Sequence, residues 1–164
     1  MSEKKTDAVI APGQDAPIDG GPLLIAYDGS EPAREAIDFA ASFFPRREAV
    51  VLTVAAAVTV GEAYAETFGV VQGYEELNES LAQDRAAEGA ERARRGGLIA
   101  KGRGEIAVPT WQGILDIAAE IGASVIVMGA RGRSGAREML EGSVSHDVVK
   151  HAHRPVMIVP PRRR

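Results

Sequence analysis

Ser124-Val125-Ile126-Val127-Met128 passes without a break into Gly129-Ala130-Arg131-Gly132-Arg133-Ser134-Gly135 and, beyond Arg137, Glu138 and Glu141, into Gly142-Ser143-Val144-Ser145. The first five residues read as an apolar strand. The last four open a helix, predicted to run from Ser143 to Ala152. A buried strand, a glycine-rich turn and a helix make one unit of an α/β protein. After it, Pro155 to Val159 reads as a further strand.

The same alternation extends upstream. Leu23 to Tyr27 is the first strong strand, and it ends in Asp28-Gly29-Ser30-Glu31-Pro32. Ser30 is placed to cap a helix that tolerates Pro32 in its first turn. Ala33, Ala36, Ile37, Ala40 and Phe44 recur at the spacing of one buried helix face, and Pro45 stops it. Ala49 to Ala56 is a nearly unbroken apolar run, as a strand covered on both faces requires. A glycine-bearing loop through Gly61, Gly69 and Gly73 leads to an amphipathic helix from Glu75 to Arg95, closed by Gly96-Gly97. Between Leu98 and Val108 the glycines at 102 and 104 spoil a strand centre, which places the strand over Glu105 to Val108. Ile114, Ile117, Ala118 and Ile121 mark another helix.

Alternation of this kind predicts a single doubly wound α/β domain, a parallel sheet with helices on both faces, and its five strands are taken in the order 3-2-1-4-5. In such sheets ligands bind beyond the carboxyl ends of the strands, where the strand order reverses. Here that point lies between the first and fourth strands. Its loops are Asp28-Gly29-Ser30 and the segment beginning at Gly129.

At 164 residues the chain has the length of one domain, and 45% hydrophobic with 26% charged residues is an ordinary globular composition. Residues 1–21 carry Pro12, Gly13, Pro17, Gly20 and Gly21 without a periodic apolar face and are expected to form a flexible leader, with the domain over 22–160 and a basic tail over 161–164. Neither a signal peptide nor a membrane span is legible. The absence of cysteine excludes disulfides and thiol chemistry and fits a cytoplasmic protein. A net charge of -4 argues against nucleic acid or an acidic membrane as partner.

The glycine-rich segment is where the chemistry gathers. Glycines allow backbone to approach an anion without a Cβ in the way, and the free N–H groups of the following helix start point at it. Arg131 and Arg133 can offset phosphate charge, while the hydroxyls of Ser143 and Ser145 can bond oxygen or help hold a metal-bound phosphate. On spacing alone, a plain strand-to-helix loop is an equal reading.

The segment resembles the nucleotide-binding motif of ATP-binding universal stress proteins, G-x2-G-x9-G-[ST], with Gly129, Gly132, Gly142 and Ser143 at every specified position. The likeness spans residues 22 to 160 and takes in Ala26-Tyr27-Asp28-Gly29-Ser30, Val125 to Met128 and Pro155 to Pro160. It implies a five-stranded fold, commonly dimeric, that binds ATP with Mg2+ in the crevice named above. By that resemblance Asp28 contacts the ribose, Val54 walls the adenine, and Ala26, Tyr27, Met128, Gly129, Arg131, Gly132, Arg133, Gly142, Ser143, Val144 and Ser145 complete the site. The family usually has an acidic residue where Ser124 stands, and its third strand is less rich in glycine.

The implied role is a nucleotide-dependent stress-response or signalling module. A slow ATPase or nucleotidyl-transfer relative would need a base or water-positioning group, for which Asp28, Glu138 and Glu141 are the acidic candidates. A protein-interaction module without nucleotide is the third reading. The last strand, Val156 to Val159, is apolar on both faces and predicts a homodimer that covers its edge. His151 and His153 are expected to complement a helix end instead of binding metal, and Trp111 to serve packing instead of base stacking.

Overall fold

The computed structural model describes residues 20–56, 70–130 and 144–161. Five strands alternate with four helices in it: β1 (Leu23–Ala26), α1 (Glu31–Phe43), β2 (Glu48–Ala55), α2 (Val70–Arg95), β3 (Ile99–Ile106), α3 (Thr110–Glu120), β4 (Val125–Gly129), α4 (Val144–His151) and β5 (Val156–Val159). The strands form one parallel sheet in the order β3-β2-β1-β4-β5. That is the expected doubly wound sheet.

Side chains of a strand alternate between the two faces, so a central strand needs apolar residues at every position. Leu23 and Ile25 of β1 join Val51 and Val127 in a core shared with Ala33, Ala36, Ile37 and Ala40 of α1 and Ala90 and Ala93 of α2. Leu24, Leu52, Ile126 and Met128 face the other way, onto Ile114, Ile117 and Ala118 of α3 and Val148 of α4. Leu24 and Ile25 are wholly buried, each stabilising the fold by about 1.5–3 kcal/mol.

Local chemistry sets the helix ends. Ser30 caps α1, its hydroxyl accepting from the Ala33 N–H at 3.3 Å, with Pro32 inside the first turn. Helix α2 begins five residues before the expected Glu75, at Val70, and so carries Gly73 in its first turns; an interior glycine costs a helix only about 1 kcal/mol. Arg92 of α2 ties it to α1 through two 2.7 Å bonds to Asp38. At the opposite end of the sheet, Arg47 donates to the Gly21 carbonyl at 2.7 Å and to the buried Ser124 hydroxyl at 3.3 Å, holding the entry into β1 against the start of β4. Residues 1–19 of the expected leader and Arg162, Arg163 and Arg164 of the tail lie outside the described residues.

The third strand departs from the sequence reading. It covers Ile99–Ile106 instead of Glu105 to Val108 and runs through both glycines, paired with β2 from Glu48↔Ile99 to Ala55↔Ile106. The reason is a close approach. A β-carbon at Gly102 would stand 2.6 Å from the Ala86 carbonyl carbon, and one at Gly104 would run into the Gln83 backbone nitrogen. Helix α2 answers with small residues on the same side, Ala82, Ala86, Gly89, Ala90 and Ala93, all buried. The glycines let a helix lie directly on strand backbone.

Candidate functional site

The carboxyl ends of β1, β2 and β4 meet as the strand order requires. Alternation along the three strands puts Ala26, Val54 and Met128 on one face, packed with the α3 and α4 core. Gly113 lets α3 approach this end of the sheet closely, since a β-carbon there would stand 2.5 Å from the Ala107 Cβ and 3.3 Å from the Val54 Cγ1.

Tyr27 points to the opposite face. Its ring is buried among α1 and α2 residues, and its hydroxyl donates to Glu88 Oε1 at 2.8 Å. Burial first, and then the Glu88 bond, push its phenol above the usual value. Arg34 lies 3.6 Å from the same carboxylate. The Tyr27 backbone is also engaged: its N–H donates to the Leu52 carbonyl at 2.8 Å, and its carbonyl accepts from the buried Thr53 hydroxyl at 2.8 Å. The end of β1 is thereby fastened to β2 just before the Asp28 turn.

In that turn Asp28 Oδ1 accepts the Ser30 N–H at 2.9 Å, and Gly29 holds the left-handed backbone angle φ 81° that favours glycine. Arg85 of α2 crosses the turn, with its Nε 3.4 Å from where a Gly29 β-carbon would stand. Sequence reasoning missed Arg85, Glu88 and Thr53. For Thr53 the signal was a hydroxyl in an otherwise apolar strand; for the two α2 residues nothing in the spacing says which helical turn passes the crevice.

Gly129 ends β4, and the Ala130 N–H that follows donates to the Val159 carbonyl at 2.9 Å. Val144 and Ser145 open α4. Arg131, Gly132, Arg133, Gly142 and Ser143, expected to hold phosphate, lie outside the described residues. Six of the expected residues, Ala26, Tyr27, Asp28, Val54, Met128 and Gly129, therefore stand at neighbouring strand ends, with Ala26, Val54 and Met128 on the α3 and α4 side and the Tyr27 ring on the α1 and α2 side.

Beside α4, Trp111 stacks on His151 with ring centroids 4.5 Å apart and planes 18° from parallel. His151 Nδ1 lies 2.9 Å from the Asp147 carbonyl of the same helix. Among the described residues no helix is long and apolar enough to cross a membrane.

A parallel sheet of this order defines a doubly wound α/β protein, a type of sheet in which ligands bind where the strand order reverses, here between β1 and β4. The Universal stress protein family model matches residues 21–160, and the chain belongs to that family. It is 31% identical over 144 residues to universal stress protein YxiE of Bacillus subtilis, covering 84% of this chain and 97% of that one. It is 30% identical over 154 residues to universal stress protein Rv1996 of Mycobacterium tuberculosis; the match covers 87% of this chain and 49% of that protein, so the chain spans about half the length of this mycobacterial relative. Among solved structures, that of hypothetical protein MJ0577 superposes with a TM-score of 0.72 at 22% identity, over 88% of this chain and 98% of the other. Two further universal stress protein structures of the same fold hold nucleotides. One, from Archaeoglobus fulgidus, is in complex with dAMP (TM-score 0.56, 23% identity, 84% and 96% covered). The other is in complex with cAMP (TM-score 0.58, 21% identity, 85% and 96% covered).

Proposed function

We propose that this chain binds ATP, with Mg2+, at the carboxyl ends of β1 and β4, and that occupancy of the site makes it a nucleotide-dependent stress-response or signalling module of the cytoplasm. The observation that carries the reading is the convergence of Ala26, Val54 and Met128 on one face beside the Asp28 turn. An apolar wall next to a carboxylate is what an adenine and its ribose need, the base being buried and the sugar hydroxyls hydrogen-bonded. The complete G-x2-G-x9-G-[ST] motif supplies the phosphate half, through Arg131, Gly132, Arg133, Gly142 and Ser143, with Val144 and Ser145 at the helix start. The dAMP and cAMP complexes of proteins with the same fold support an adenine nucleotide as the ligand class.

In this reading the Asp28 carboxylate accepts from the ribose, Val54 and Met128 exclude water from the base, and the Gly129 to Ser145 segment neutralises the triphosphate. Bound Mg2+ would add positive charge at the phosphate oxygens, with Ser143 and Ser145 as the hydroxyls able to help hold it. The bound state alters a dimer surface formed through Val156–Val159, which lies at an edge of the sheet. The nucleotide-binding unit spans residues 22–160.

Calorimetric titration of nucleotide-stripped protein with ATP and magnesium tests the reading, with Gly132→Arg as the variant that fills the loop with a side chain. Micromolar binding that the variant loses is the expected result. Absence of heat and of any thermal shift at millimolar ATP would overturn it.

A further inference from the structure

An open sheet has two edges, and each is a row of backbone N–H and C=O groups ready to pair with another chain. Here the edges are β3 and β5. In β3 the odd-numbered residues face β2: the N–H of Ile99 donates to the Arg47 carbonyl at 2.9 Å, and the N–H of Ala107, just past the strand, donates to the Ala55 carbonyl at 3.1 Å. The even-numbered residues Ala100, Gly102 and Gly104 therefore turn their backbone groups outward.

Side chains of α2 occupy those outward groups. The Gln83 amide donates to the Gly102 carbonyl at 3.4 Å and accepts the Gly104 N–H at 2.8 Å. In a parallel ladder a residue bonds the carbonyl before and the N–H after its opposite number. Gln83 makes that same pair of bonds around Arg103, so one side-chain amide fills the place of a peptide group in a missing sixth strand. Two residues away, Arg94 donates to the Ala100 carbonyl at 2.9 Å. Its guanidinium is held in place by Glu91, which accepts from it at 2.8 and 3.2 Å.

From this geometry we infer that Gln83 and Arg94 guard the β3 edge against addition of a second copy of this chain. The occupant that the guard excludes is another β3. The strand is eight residues long, and two copies related by a twofold axis would present identical open edges to each other. Ile99, 62% exposed at the start of β3, adds apolar surface to such a contact. A sheet able to pair at both edges would not close as a dimer but would extend copy after copy. The glycines that let α2 lie on β3 are also what bring Gln83 within reach of the edge. This inference does not depend on what the crevice binds.

The test is the mass of the full chain in sedimentation velocity over a micromolar concentration series, for wild type and for the double variant Gln83→Ala, Arg94→Ala. The double variant is expected to gain at least one association step, so that its mass at least doubles relative to wild type, and adding Ile99→Lys, a charge on the opened edge, is expected to return it to the wild-type mass. A folded double variant with the wild-type mass at every concentration overturns the inference, as does an association that survives Ile99→Lys. Should the double variant unfold, amide exchange of Gly104 in Gln83→Ala alone gives the reading: exchange at least tenfold faster than in wild type is expected, and unchanged exchange rejects the guard.

Discussion

Gly129 lies so close to the first turn of α1 that a β-carbon on it would stand 2.7 Å from both the carbonyl carbon and the carbonyl oxygen of Pro32. The first glycine of the G-x2-G-x9-G-[ST] motif thus has a packing duty that is separate from any ligand. Backbone cannot yield as a flexible side chain can, so Gly129→Ala is expected to destabilise the fold by about 1–3 kcal/mol, as overpacking generally does. Thermal unfolding should show Tm lowered by roughly 2–4 °C per kcal/mol for a chain of this length. Gly132→Arg is expected to abolish ATP binding, which calorimetry separates from the stability loss at Gly129.

Tyr27 gives a pH-dependent expectation. Burial and the Glu88 bond raise its phenol above the ordinary tyrosine value of about 10, so the folded state favours the neutral ring. The sign follows: that stabilisation is complete below about pH 10 and is lost as pH rises through the higher folded-state value. At pH 7 Tyr27→Phe should cost about 1 kcal/mol through the lost hydrogen bond to Glu88. Denaturant unfolding of both proteins at pH 7 and near pH 11 checks this. The gap between them should narrow at the higher pH, because only the tyrosine protein loses the Tyr27 contribution there; a constant gap would contradict the assignment.

How far the sequence could be read follows from which forces act locally. Apolar runs at β1, β2 and β4 and a capping serine before Pro32 are local signals, and they yielded these elements. Strand β3 was misplaced because Gly102 and Gly104 weaken a strand by propensity, whereas in the fold they admit the α2 backbone, a tertiary cause invisible in a window of residues. The strand ends of the site were legible once the order was known. The two-residue period alone assigns Tyr27 to the far face, since Ala26 beside it faces the other way. Arg85 was out of reach: its position over Gly29 depends on how far α2 slides along the sheet.

The Trp111–His151 stack joins the start of α3 to the end of α4, the helix that follows the glycine segment. Aromatic pairs of this geometry contribute about 0.5–1.5 kcal/mol beyond their burial. His151→Ala is expected to destabilise the protein by that order and to shift the emission of Trp111. As Trp111 is the single tryptophan of the chain, the change is read directly from intrinsic fluorescence. Unchanged emission would mean that the rings do not meet in solution.

Asp28 permits a substitution that separates turn structure from ligand binding. Its Oδ1 accepts the Ser30 N–H, so Asp28→Asn can keep that bond through its amide oxygen while losing the charge. Asp28→Ala loses both. If the carboxylate holds the ribose, the asparagine variant should melt close to wild type yet bind ATP about tenfold more weakly, a loss of roughly 1.4 kcal/mol that fits one charge-assisted hydrogen bond. The alanine variant should show the weaker binding together with a lowered Tm, because the Ser30 that caps α1 loses its anchor. Calorimetry and thermal melts on the three proteins measure both quantities. Wild-type affinity in Asp28→Asn would remove the carboxylate charge from the site and leave the apolar wall of Ala26, Val54 and Met128, with the glycine segment, to account for binding.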